Sequence, residues 1–97
     1  MAETVDELTI NFTENDVLVT KELDKVVLTK GAWSTILYRY QDWEPAKNGY
    51  SADRYTIRRY QKRNGVYQQK SKFNISSADQ ARALIDALEK WLKEPNQ

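Results

Sequence analysis

The sequence predicts an α+β domain, an antiparallel sheet of four or more strands followed by one C-terminal helix. Three observations carry this. Short β-branched and aromatic runs of strand length fill residues 8 to 75, an Asn64-Gly65 dipeptide joins two of them, and a single helical stripe closes the chain. Strands first and one helix last, in β-β-β-β-α order, favour an antiparallel sheet with a helix on one face over alternating βαβ units. The opposite face of the sheet is then expected to be uncovered.

Leu8, Ile10 and Phe12 fall on one parity, the turn Glu14-Asn15-Asp16 follows, and Val17-Leu18-Val19 starts a new run. Lys25 to Lys30 is β-branched and strand-like until Gly31 breaks it. Trp33 to Trp43 reads as a long strand, with Ser34, Ile36, Tyr38 and Tyr40 on one face and Thr35, Leu37, Arg39 and Gln41 on the other. Neither face is wholly apolar, so both are expected to have roles. Glu44 to Gly49 is a loop rich in breakers, and Tyr55 to Arg63 is the next strand.

Asn64-Gly65 suits a two-residue type I′ turn, whose central residues both need positive φ. A regular ladder from that turn sets Arg63 opposite Val66, Tyr60 opposite Gln69, Arg59 opposite Lys70, Arg58 opposite Ser71 and Ile57 opposite Lys72. Like charges directly opposite one another destabilise a sheet, so the Arg59–Lys70 pair is a cost that an anionic ligand would remove. In the final segment, Ser76 and Asp79 form a variant capping box. Ala81, Leu84, Ile85, Leu88, Trp91 and Leu92 then trace one stripe, expected to be buried, and Pro95 stops the helix.

The 97 residues make a single domain, 1–97, with 1–30 an acidic, strand-like extension and 33–93 the core. Hydrophobic content of 40% with 30% charged residues is that of a folded globule. Cysteine and histidine are absent, which removes disulfides, thiolate metal sites, the commonest metal ligand and the usual proton shuttle. The glycines are scattered as turn residues, so no phosphate loop is present. These absences argue against an enzyme and against a cofactor. Nothing approaches the roughly 18 consecutive apolar residues of a spanning helix. The acidic N-terminus lacks the apolar run of an export signal. The expected location is cytoplasmic, nucleoid-associated if it binds DNA, and not secreted.

A net charge of +1 conceals segregation. Residues 1–30 hold seven acids against three lysines, residues 33–75 nine basic residues against three acids, and residues 76–97 four acids against three basic residues. The middle of the chain is where an anionic partner would bind. Its cations interleave with rings, as single-stranded nucleic acid requires: charge for phosphates and flat surfaces for bases. Candidate phosphate contacts are Arg39, Arg54, Arg58, Arg59, Lys62, Lys70 and Lys72, and candidate stacking rings are Tyr38, Tyr40, Tyr60 and Tyr67. Strand alternation divides this set between two faces. Tyrosine and arginine also pack well on any antiparallel sheet, so a share of these residues is expected in the core or in a dimer contact. Trp33, Trp43 and Phe73 are the expected core aromatics.

The run Tyr55-Thr56-Ile57-Arg58-Arg59-Tyr60, the turn at Arg63-Asn64-Gly65, the strand Gln69-Lys70-Ser71-Lys72-Phe73-Asn74-Ile75-Ser76 and the closing helix resemble the core of the transcriptional coactivator PC4 family. Its wider superfamily, which includes the plant Whirly regulators, shares four antiparallel strands followed by a helix. The resemblance covers about 33–93 and is strongest over 55–80. It implies a homodimer whose paired sheets and helices build a single-stranded DNA channel, with Arg58 or Arg59 and Lys70 at the family's basic contacts. Lys72 departs from the small glycine usual there. The acidic N-terminal thirty residues depart from the family's serine- and lysine-rich leader, and they either extend the sheet or cover part of the channel. The expected function is single-stranded nucleic-acid binding, DNA in the first instance, in transcription regulation or DNA maintenance. The rival expectations are an RNA-specific binder and a protein-interaction module using the same sheet without nucleic acid.

Overall fold

The computed structural model describes residues 3–94. Six strands form one antiparallel sheet: β1 (Phe12–Glu14), β2 (Val17–Thr29), β3 (Trp33–Glu44), β4 (Gly49–Tyr50), β5 (Arg54–Arg63) and β6 (Val66–Ile75). They are ordered β1-β2-β3-β5-β6, with β4 pairing only with the end of β3. The sheet curls into a half-barrel, and one helix, α1 (Ala78–Leu92), follows it. The α+β class and the strands-then-helix order therefore hold.

Local chemistry sets the turns. Asn64 and Gly65 take φ of 53° and 81°, both in the region a type I′ turn requires. Asn15 and Asp16, with φ of 50° and 66°, turn β1 into β2 in the same manner. Asparagine and aspartate tolerate that conformation better than other residues with side chains.

The predicted β5–β6 register holds only near its turn. Arg63 pairs with Val66, Lys62 with Tyr67, Gln61 with Gln68 and Tyr60 with Gln69. A bulge then takes Lys70 out of the ladder, so Arg59 pairs with Ser71, Arg58 with Lys72 and Ile57 with Phe73. The expected Arg59–Lys70, Arg58–Ser71 and Ile57–Lys72 pairs are corrected accordingly. One extra residue on a strand shifts every later partner by one. A like-charge pair survives the shift, but it is Arg58 with Lys72.

Strand β3 alternates as its sequence requires. Ser34, Ile36, Tyr38 and Tyr40 are buried, whereas Thr35 and Leu37 are half-buried and Arg39 is exposed. Thr56 and Tyr60 of β5 join the buried face. This face is not uncovered. The N-terminal segment lies across it, placing Val5, Leu8 and Ile10 in one cluster with Ile36, Tyr38, Tyr40 and Tyr60. Fully burying aliphatic side chains of this size contributes about 1.5–3 kcal/mol each.

The segment belongs to no strand at Leu8 and Ile10, so other groups satisfy its backbone. Lys25 Nζ donates to the carbonyl oxygens of Val5 (3.0 Å), Asp6 (3.0 Å) and Leu8 (2.6 Å). The Glu22 carboxylate accepts from Thr9 Oγ1 at 2.7 Å and from Ile10 N at 3.2 Å. Asn11 Oδ1 accepts from Glu22 N at 2.7 Å. Upstream, the Glu7 carboxylate accepts from Glu3 N, Thr4 N and the Thr4 hydroxyl, which holds its carboxyl below the usual range. Phe12, expected on the same face as Leu8 and Ile10, is exposed because the chain has by then joined β1 at the sheet's edge.

The helix begins one residue later than predicted. Ser77 is the N-cap, its Oγ accepting from Gln80 N at 3.1 Å, while the Gln80 side chain accepts from Ser76 N at 2.6 Å. Glutamine, not Asp79, thus provides the returning side-chain bond, and it goes to the residue before the N-cap. Pro95 lies outside the described residues. The stripe is also not buried: Leu84, Ile85, Leu88, Trp91 and Leu92 are 37% to 71% exposed. Among the strands, α1 touches chiefly β6. Trp33 and Phe73, expected in the core, are 42% and 51% exposed because both lie on the face away from the N-terminal cover. No described helix is long and apolar enough to cross a membrane.

The buried hydroxyls of Tyr38 and Tyr60 meet at 3.1 Å. Tyr38→Phe or Tyr60→Phe alone leaves one buried hydroxyl without that partner and is expected to cost about 1–3 kcal/mol. The double variant should cost less than the sum, as read from urea denaturation. Burial raises both phenols above their ordinary value of 10.0. A raised folded-state pKa contributes stability that is present below pH 10.0 and is lost as pH climbs through the folded values. The wild type should therefore lose stability in that alkaline range, and the double variant should lose less.

Candidate nucleic-acid interface

The expected site residues separate into three groups. Tyr38, Tyr40 and Tyr60 are buried beneath the N-terminal segment and act as core. Desolvation, the largest contribution for each, raises all three phenols. With the segment in place they offer no ring face to a base.

Arg39 and Arg54 form the second group, on the part of the sheet away from the β5–β6 turn, where their charges are balanced. Arg39 Nε lies 3.8 Å from the Asp53 carboxylate and Arg54 Nη1 lies 3.5 Å from that of Asp42. Asp42 also accepts from Thr20 Oγ1, and Asp53 from Gln41 Nε2. Exposed pairs of this kind are worth little to stability, but they reduce the local positive field.

The third group is the β5–β6 ribbon. Residues 54–75 contain seven cations and no acid. Beyond Arg54 these are Arg58, Arg59, Lys62, Arg63, Lys70 and Lys72, none of which makes an ion pair among the described residues. Strand β6 is an edge of the sheet and is exposed from Gln68 to Asn74. The density of positive charge is therefore presented to solvent rather than screened by neighbouring strands.

Each cation is held differently. Arg58, half-buried, donates from Nε to Thr56 Oγ1 at 3.3 Å and from Nη1 to Gln69 Oε1 at 2.8 Å. These neutral acceptors fix the guanidinium without neutralising it, beside the cross-strand Lys72. Lys62 Nζ lies 5.4 Å from the ring centre of Tyr67, whose hydroxyl donates to the Gly31 carbonyl at 3.0 Å. Arg59 lies over the indole of Trp33, 4.5 Å from its centre. Lys70 occupies the bulge, and Lys70 and Lys72 are exposed.

Trp33 and Arg63, which lie among these cations, are not in the expected set. The acid-free run from 54 to 75 already signalled Arg63. Trp33 carried no such signal, because a tryptophan opening a strand reads as core. Among the described residues, no group of three or more potential metal ligands converges.

Edge lysines also guard a sheet against unwanted pairing, which accounts for Lys70 and Lys72 individually. It does not account for Arg58 opposite Lys72, where two cations repel for no structural gain. Lys72→Gln is expected to stabilise the fold by about 0.2–1 kcal/mol at low salt, with the gain shrinking as salt screens the pair. Urea denaturation at two ionic strengths checks this. Comparison with protein-family models, with curated proteins and with solved structures finds no significant match.

Proposed function

We propose that the protein binds single-stranded nucleic acid, DNA in the first instance, through the exposed β5–β6 ribbon, and that it does so as a dimer of the PC4-like type. The observation that carries this reading is the ribbon's six cations, without an ion pair among the described residues, in a run from 54 to 75 that contains no acid. Counterion release makes such a surface a phosphate-binding one. The arrangement also retains a repulsive pair, Arg58 with Lys72, that a bound phosphate would relieve. Transcription regulation or DNA maintenance is the process that the resemblance to the PC4 family implies.

A second copy supplies what the single chain lacks. The apolar stripe of α1 and the sheet residues Leu28, Leu37 and Ile57 border a groove of about 490 Å³. Val26, Leu28 and Phe73 are exposed, as are Leu84, Ile85, Leu88 and Trp91, and strand pairing and the groove linings place them on one side. Monomeric proteins rarely leave so much contiguous apolar surface in water. Donor stripe and acceptor groove lie together on one chain, as a two-fold isologous interface requires. A fifteen-residue helix with so little packing is also marginal by itself.

In a fluorescence-anisotropy titration with a single-stranded oligonucleotide, log affinity should fall against log salt with a slope of about −0.7 per neutralised phosphate. Arg58→Ala with Lys72→Ala should weaken binding and flatten that slope. An affinity indifferent to salt would instead favour the protein-interaction module, and preference for a matched RNA would favour the RNA binder. Sedimentation should give a dimer for the wild type and a monomer for Leu88→Asp; a monomeric wild type would remove the second copy from the proposal.

A further inference from the structure

We propose that Trp33, braced by Arg59, is the platform on which the protein stacks an unpaired base. This deepens the nucleic-acid reading and rests on it.

Trp33 opens β3 and is 42% exposed. It does not line the apolar groove between α1 and the sheet. The surface assigned to the second copy therefore leaves the indole unexplained. The Arg59 guanidinium lies over it, 4.5 Å from the ring centre. A planar, weakly hydrated cation suits that position. Stacked over one face of the indole, it limits the ring's freedom and sets a cation next to the base that would stack on the ring's remaining exposed surface.

The surroundings match such a ligand. Trp33 pairs with Gln61, and Gln61 with Gln68; one row along, Arg59 pairs with Ser71. By alternation these side chains share the face of the indole, and they supply hydrogen-bond donors and acceptors without charge. Segments 25–41 and 54–75, which meet here, contain no acid to repel a phosphate. A base within a duplex has no free face for the ring, so the site takes unpaired bases. Every base has such a face, so its sequence preference is weak.

The test uses the full chain carrying Trp43→Phe and Trp91→Phe, which leaves Trp33 as its only indole. The probe is an oligothymidylate, with a duplex of equal length as control. Stacking predicts that the oligothymidylate quenches Trp33 fluorescence and the duplex does not. Trp33→Ala in the otherwise natural chain should weaken oligothymidylate binding about tenfold with the salt slope unchanged, since no phosphate contact is lost. Trp33→Phe should fall between the two. Salt-dependent binding without quenching, or with full affinity in Trp33→Ala, would overturn the platform and leave the phosphate-binding ribbon standing. Absence of any binding by the natural chain at low salt would overturn both.

Discussion

The placement of the N-terminal segment across the aromatic face of the sheet is the constraint on which the rest of the structure depends. One lysine ammonium largely fixes it. Lys25 gathers three backbone carbonyls, from Val5, Asp6 and Leu8, that no strand pairing satisfies. Without those bonds, burying the segment would leave polar groups unpaired at a cost comparable to the apolar gain. With them, Val5, Leu8 and Ile10 complete a core with Ile36, Tyr38, Tyr40 and Tyr60. The segment closes the aromatic part of that face, while Arg58, Lys62 and Lys72 project by strand alternation from the same face nearer the β5–β6 turn; a partner is left with that cationic part, the opposite face, the β6 edge and the helix.

Those remaining surfaces differ in chemistry. Towards α1 the sheet is apolar, and the helix stripe continues that surface rather than covering it. Towards the β5–β6 turn it is cationic and aromatic, with Arg58, Arg59, Lys62, Lys70 and Lys72 making no ion pair among the described residues. An apolar surface suits association between copies, and a cationic one suits a polyanion, so the two roles need not compete for the same residues. The bulge at Lys70 contributes to this division. By shifting the register it places Lys72, rather than Ser71, across from Arg58. It thus brings two cations together at a point where Thr56 and Gln69 already orient the guanidinium.

Much of this fold was legible because local signals set it. The Asn64-Gly65 turn, the alternation of β3 and the amphipathic stripe of 81–92 are properties of neighbouring residues, and each occurs where the sequence places it. What escaped depends on distant parts of the chain. The bulge carries no composition of its own, so a regular ladder from the turn misassigned Arg59, Arg58 and Ile57. The alternation of Leu8 and Ile10 resembles a strand, because an extended segment lying across a face buries the same parity as one within it. The helix stripe predicted burial, but the sheet offers α1 little more than the β6 edge. For the candidate site, the cations of 58–72 were legible from charge alone. Tyr38, Tyr40 and Tyr60 were indistinguishable from stacking residues until the cover over them was seen, and Trp33 was indistinguishable from core.

In the proposed function the β5–β6 ribbon, not the covered aromatic face, meets the nucleic acid. Amide and indole NMR shifts of the labelled full-length protein, followed during addition of a single-stranded oligonucleotide, test it most directly. The account predicts that the largest perturbations fall within 58–72 and at the Trp33 indole N–H, while Val5, Leu8 and Ile10 remain in place. Perturbations centred on the helix groove, or loss of the N-terminal segment from the face of Tyr38 and Tyr60, would contradict it.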